Sequence, residues 1–417
     1  MKIGIVNFFP HMLDFSVNLA KYLEKRGHTV YFLNPDRFVS RQLRKFNCKI
    51  IYYPPPTKII KYYKPDSNII TFYKMIYSIK NINKLISQFN KEYSAALEFL
   101  KSSHFDVLIM NRGLRVERDV SKELGINTLF CENGYLPGTL QMDHKGVNAD
   151  VSFANLSLAE FLKFYYPTSN RDFMDYNYQK VNYNFIKYVI DRIFDPRYNW
   201  YLHKILLVKI KRELASIRFR LAKQDKLDID KLGKFIFFPL QVNTDTQIIH
   251  YCKYKNIYDV LDNVLPPLKK TGYKIILKEH PAEVEPVNYK RYVDNKQVFL
   301  VKKYDLNKLI DKSEFVVVIN SSVGLQAIAR YKRVLLLGDS FYKNAPSCLI
   351  YDNIKNKDNL INEIQNIKVN KEAVNKYIKH FREVIFIDGH WRNANTELLN
   401  KIAKRLEGIA NKSNKPY

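Results

Sequence analysis

Short runs of β-branched and aliphatic residues alternate with helix-length amphipathic stretches along most of this chain, and no other feature constrains its fold as tightly. Lys2–Phe8 reads as a strand and Asp14–Arg26 has apolar residues at helical spacing. Gly27 sits where a helix C-cap belongs, and His28–Leu33 reads as the next strand. Phe105–Met110 and Asn127–Glu132 add two more. The rhythm resumes with Phe235–Gln241, Lys274–Glu279, Gln297–Val301, Phe315–Ile319 and Val334–Leu337, continuous apolar runs of the kind that suit strands buried on both faces. Strand–helix–strand alternation implies parallel sheets covered by helices. The chain is therefore expected to be α/β, with two Rossmann-like halves facing a cleft. The expected division is an N-terminal domain at 1–155, a helical aromatic and basic insert at 156–232, a second Rossmann-like domain at 233–385, and a C-terminal helix at 386–417 that packs back on the first half.

At 417 residues the chain has room for two or three domains of ~100–200 residues. Its 68 Lys and Arg against 41 Asp and Glu leave a net charge of +27, which predicts attraction to something anionic: nucleic acid, a membrane surface or phosphorylated substrates. Cys48, Cys131, Cys252 and Cys348 are widely spaced with no CxxC pair, which argues against a zinc ribbon, a redox motif or a disulfide scaffold; they read as free core thiols. No apolar run approaches the ~20 residues that span a bilayer. The opening MKIGIVNFFP reads as a strand and not as a signal peptide, so a cytoplasmic protein is expected. The dinucleotide fingerprint GxGxxG is absent, which counts against hydride transfer.

Four stretches can carry chemistry. KIILKEHP (Lys274–Pro281) ends a strand in His-Pro; Pro281 restrains the backbone and holds His280 at the carboxyl end of a parallel sheet, where ligands bind in doubly wound folds. There an imidazole can donate to a departing phosphate, or can simply be structural. Asn320-Ser321-Ser322 lies at a strand-to-helix junction, suited either to phosphate or to ordinary helix capping. PLQVNTDTQI (Pro239–Ile248) offers Asp245, and CENGYLPG (Cys131–Gly138) offers Glu132, one from each half. Sugar transfer can use two carboxyl groups, as nucleophile and as acid/base, although loop carboxylates are often only solvated or capping. A further stretch, Lys204–Lys223, is rich in Lys and Arg and sets Leu207, Ile210, Leu214, Ile217 and Leu221 on one helical face. Such a helix can lie in a membrane interface or pack its stripe on a domain.

Taken in order, ENG…P…D…GVNAD, PLQV…DTQI, KEHP and NSSVG resemble the bacterial capsule polysaccharide synthesis proteins of the KpsC/KpsS type, retaining β-Kdo transferases of the GT-B type. The resemblance covers roughly Phe130–Val151 and Phe235–Gly338. It implies CMP-β-Kdo as donor, no cofactor and no metal. Asp245 would be the nucleophile that receives Kdo, Glu132 the acid/base, and His280 the group that holds the CMP phosphate. Ser321, Ser322, Pro281 and Lys278 would stand beside that phosphate, and Gln241 would shape the nucleotide pocket. Asn133, Gly134 and Asp143 would bind the acceptor or shape its site.

A single motif set, where two-module members carry two, favours the KpsS-like enzyme that places one Kdo on a lysophosphatidylglycerol-type lipid. Asn-Thr precedes Asp245 where more acidic residues stand in two-module relatives. A lipid acceptor also gives the basic helix a purpose, with Lys209, Lys211, Arg212 and Arg218 against the anionic inner face of the inner membrane, where the protein would be peripheral. Other capsule synthesis and export proteins are candidate partners; nucleic acid is not expected, since no recognition helix, zinc finger or RNP-type pattern is present. The competing readings are another CMP-sugar transferase, sialic-acid-like and usually inverting, a nucleotide-sugar epimerase, and a non-catalytic basic protein that binds membrane or nucleic acid.

Overall fold

A computed structural model of the chain describes residues 1–6, 12–54, 56, 58–77, 79–111, 116–180, 185–193, 202–243, 245–283 and 287–412; the side chains of 76, 77, 185, 189, 192, 193, 202–209, 212, 213 and 412 lie outside the description. The first sheet uses Lys2–Val6 (β1), Thr29–Leu33 (β2), Lys49–Ile51 (β3), Val107–Asn111 (β4), Asn127–Asn133 (β5) and Thr139–Asp143 (β6). The second uses Phe235–Pro239 (β7), Lys274–Lys278 (β8), Val298–Val301 (β9), Phe315–Val318 (β10), Arg333–Leu336 (β11) and Cys348–Ile350 (β12). Phe386–Asp388 (β13) returns to the first sheet.

Strands β3-β2-β1-β4-β5 run parallel in that spatial order, and β6 and β13 extend the edge antiparallel. The second sheet is wholly parallel, in the order β12-β11-β10-β7-β8-β9. Both halves are thus doubly wound, and the expected pair of Rossmann-like domains is the architecture found. The core strands β4 and β7 are buried along their whole length, which is why they read as unbroken apolar runs. β3 and β12 are three residues each and β13 pairs across more than two hundred residues of sequence, so no local pattern announces them.

Specific hydrogen bonds join the two halves. Lys343 Nζ donates to Asn155 Oδ1 (2.8 Å), Asn344 Nδ2 donates to the Leu156 carbonyl (2.8 Å), and Tyr251 Oη donates to Asp150 Oδ2 (2.6 Å). After β13 the C-terminal helix Thr396–Lys412 packs on helix α1 (Leu13–Lys25). Buried Arg26 there makes a two-point ion pair to Glu407, through Nε (2.9 Å) and Nη2 (2.8 Å), and His28 Nε2 sits 2.9 Å from the same carboxylate.

The insert forms α2 (Phe185–Ile193) and α3 (Leu202–Leu221), which pack on each other. α3 touches the protein through Ala215 and Phe219, whereas Ile210, Leu214, Ile217 and Leu221 are exposed. The described part of the stripe thus keeps a large share of its surface open to solvent, while the helix as a whole also contacts the helix Ser67–Tyr77. Lys211 and Arg218 are exposed beside it; the side chains of Leu207, Lys209 and Arg212 lie outside the described residues.

Candidate active site

The cleft encloses a cavity of about 1030 Å³ whose walls come from both halves. From the N-terminal half come Glu132, Asn133, Gly134, Tyr135 and the segment His144–Val151, with Arg118 and Lys122 further along; from the second half come Gln241, Asp245, Lys278, His280, Pro281, Ser321 and Ser322. The two carboxylates and the histidine singled out in the sequence thus line one space.

Glu132 is the penultimate residue of β5, and its Oε1 accepts from the Asn133 amide (3.0 Å). The chain then turns into β6 through Gly134, where a Cβ would lie 2.0 Å from Thr139 Oγ1, 2.9 Å from its Cβ and 3.0 Å from its carbonyl carbon, so the glycine of the ENG motif leaves room for Thr139. Asn133 Oδ1 accepts from the indole of Trp391 (3.0 Å), tying the motif to the returning C-terminal segment. Asp143 does not line the cavity. It is fully buried and accepts from the amides of Lys145 (2.7 Å), Gly146 (3.1 Å) and Ser152 (3.1 Å), from Ser152 Oγ (2.6 Å) and from Tyr166 Oη (2.6 Å). A carboxylate so fully engaged holds the 143–152 loop beneath the wall and has no oxygen to offer an acceptor, so of the two roles read from the sequence, binding the acceptor or shaping its site, only the second is compatible with its partners.

In the second half the site lies at the topological switch point, where β7 and β10 part company. Gln241, only 3% exposed, follows β7; its Nε2 donates to Asn320 Oδ1 (3.1 Å) and to Asp245 Oδ2 (3.3 Å), while its Oε1 accepts from the Asn320 amide (3.1 Å). Asn320 Nδ2 in turn donates to the Gln247 carbonyl (3.0 Å). Asp245 is the N-cap of the helix Thr246–Tyr251 (α4), its Oδ1 accepting from the Gln247 amide (2.9 Å). The bland reading, a capping carboxylate, and the functional one describe the same side chain: cap and glutamine fix its orientation at the cavity wall.

His280 leaves β8 at its carboxyl end. The Ala282 amide donates to Nδ1 (3.1 Å), so in the neutral ring the proton sits on Nε2. Burial lowers the His280 pKa, with Lys278 acting the same way and the Asp245 charge opposing. Lys278 is 9% exposed and its pKa is also lowered by burial, a lysine held at the cavity where its charge is least solvated. Ser321 Oγ and His250 Nε2 are buried in the cavity wall with no hydrogen-bond partner among the described residues.

Tyr135 was not marked by the sequence beyond its place after ENG. Its hydroxyl donates to Asn148 Oδ1 (3.1 Å), and its pKa is pushed far up, first by burial and then by the charges of both Asp245 and Glu132. One buried hydroxyl therefore feels the carboxylates of both halves. Asn320, the first residue of the NSS stretch, is the other addition; only the fold reveals that it pairs with Gln241. Among the described residues no three His, Cys, Asp or Glu side chains gather as they would to hold a metal ion.

The family model for capsule polysaccharide biosynthesis proteins matches residues 112–360, more than half of the chain and the whole span from Glu132 to Ser322. The chain belongs to that family. It is 27% identical over 275 residues to Protein FixF of Sinorhizobium fredii, covering 62% of this chain and only 58% of FixF. It is 23% identical over 369 residues to the capsule polysaccharide modification protein LipB of Neisseria meningitidis serogroup B, covering 79% of this chain and 78% of LipB. Among solved structures, KpsC of Thermosulfurimonas dismutans, a β-Kdo 2,7 transferase, aligns over 98% of this chain and 100% of that one at 12% identity and a TM-score of 0.41.

Proposed function

We propose that this capsule polysaccharide biosynthesis protein is a retaining glycosyltransferase that moves β-Kdo from CMP-β-Kdo to a lysophosphatidylglycerol-type acceptor. The observation that carries this reading is that Glu132 and Asp245, from opposite halves, line one cavity together with His280. Asp245, oriented by Gln241 and by the α4 amide, attacks the anomeric carbon as the bond to the CMP phosphate breaks. The Nε2–H of His280 donates to that phosphate as its charge grows, with Lys278, Ser321 and Ser322 beside it and Pro281 restraining the turn. Glu132 then takes the proton of the acceptor hydroxyl as its oxygen displaces Asp245 from the sugar. Two displacements at one carbon restore the starting configuration.

The test is incubation with CMP-Kdo generated in situ and a fluorescent lysophosphatidylglycerol. The expected result is a product one Kdo heavier with a β linkage, and a Kdo mass on the intact protein that maps to Asp245. An α-linked product would point to an inverting CMP-sugar transferase, and donor conversion without acceptor to an epimerase; either result would replace this reading.

A further inference from the structure

The outward face of α2 and α3 has no role in the chemistry above. Ile210, Leu214, Ile217 and Leu221 recur at spacings of four, three and four, so they form one stripe along α3. Leu221 is 79% exposed, and Ile186 (69%) and Ile190 are exposed on the neighbouring α2. Lys211 and Arg218 each follow a stripe residue by one position and so flank it about 100° round the helix on one side; Arg220 precedes Leu221 and flanks the other side. All three cations are exposed. The opposite face holds the helix to the protein: Ala215 is buried, the Phe219 ring lies 5.9 Å from Lys278 Nζ, and Lys303 Nζ donates to the carbonyls of Arg220 and Ala222 (3.1 Å each).

We propose that α2 and α3 are a docking surface for an anionic lipid membrane, their six exposed aliphatic residues entering the interface and Lys211, Arg218 and Arg220 meeting the headgroups. Aliphatic residues turned away from the protein and bordered by cations on both sides match an apolar layer beneath an anionic one, and the chain's net charge of +27 favours the same encounter. Because Lys278 joins Phe219 on α3 to the cavity, docking by this face brings a membrane close to the site. That consequence rests on the lipid-acceptor reading; the docking itself does not.

The experiment is co-sedimentation of the full chain with vesicles of phosphatidylcholine alone and of phosphatidylcholine with phosphatidylglycerol. Wild type should favour the anionic vesicles and be partly released by salt. Replacing Leu214, Ile217 and Leu221 together by Ser should weaken binding to anionic vesicles about tenfold or more, and Lys211→Gln with Arg218→Gln and Arg220→Gln should reduce the preference for phosphatidylglycerol by a similar factor. Wild-type binding that is absent, or unchanged in both variants, overturns the proposal. So does a stripe variant that changes the oligomeric state without lipid, which would make the face a contact between copies. Transfer from CMP-Kdo to a short-chain acceptor dissolved below its micelle concentration should be unaffected by the stripe variant, so loss of docking and failure of the proposed chemistry are read separately.

Discussion

Asp245 is asked to be both a helix cap and a nucleophile, and two substitutions separate the roles. Asparagine caps a helix about as well as aspartate, whereas alanine in place of a cap costs about 1 kcal/mol. Asp245→Asn keeps an oxygen for the Gln247 amide, so α4 should keep its start; Asp245→Ala removes that acceptor and also the partner of Gln241 Nε2. In a half of ordinary domain size, such a loss lowers the midpoint by ~2–4 °C. Thermal melts followed by circular dichroism should therefore place the Asn variant with wild type and the Ala variant below it. Transfer should behave differently: an amide cannot displace CMP, so both variants should fall by at least ~10³-fold, with no Kdo adduct on the protein. An Asn variant that retains a tenth of the activity would refute the nucleophile. Equal melting of the two variants would refute the cap.

His280→Ala should weaken CMP binding, measured by calorimetry, and lower the rate as well. Because burial holds the His280 pKa below its ordinary 6.5, the ring stays neutral below that pH, and an acid limb assigned to His280 should lie under 6.5 in the wild-type profile and vanish in the variant. Glu407→Gln leaves buried Arg26 without its counter-charge and should cost about 3–5 kcal/mol in denaturant unfolding. Burial pushes the Glu407 pKa up, but hydrogen bonds from Arg26, Ser169 and His28 outweigh it and hold it at about 2; the stability Glu407 adds is complete above its ordinary 4.5 and should be lost as pH falls from there through 2. Burial raises the pKa of Cys48 to about 11 and of Cys348 to about 12, and raises those of Cys131 and Cys252, so a thiol reagent should modify the native protein slowly and label all four once it is unfolded.

The strands that build both cores were readable from residue order, because a strand buried on two faces must be apolar at every position; β4, β7 and β10 are of that kind. Their ends were readable to within one or two residues: β7, β8 and β10 stop at Pro239, Lys278 and Val318, where the apolar runs suggested Gln241, Glu279 and Ile319. Periodicity likewise marked one apolar face on Lys204–Lys223. It could not say which way that face points, because an amphipathic pattern specifies a stripe and not the surface the stripe meets. Nor could it tell a carboxylate spent inside, Asp143 at the end of β6, from one held at the cavity, Asp245 after β7; what separates them is their partners. The sharing of one cavity by Glu132 and Asp245, the pairing of Gln241 with Asn320 and the nearness of Tyr135 to Asp245 all bring together residues tens to more than a hundred positions apart. Local sequence fixes backbone preference and burial over a few residues; Gln241 meets Asn320 only once β7 and β10 lie side by side in one sheet, and Glu132 shares a cavity with Asp245 only once the two separately wound halves face each other.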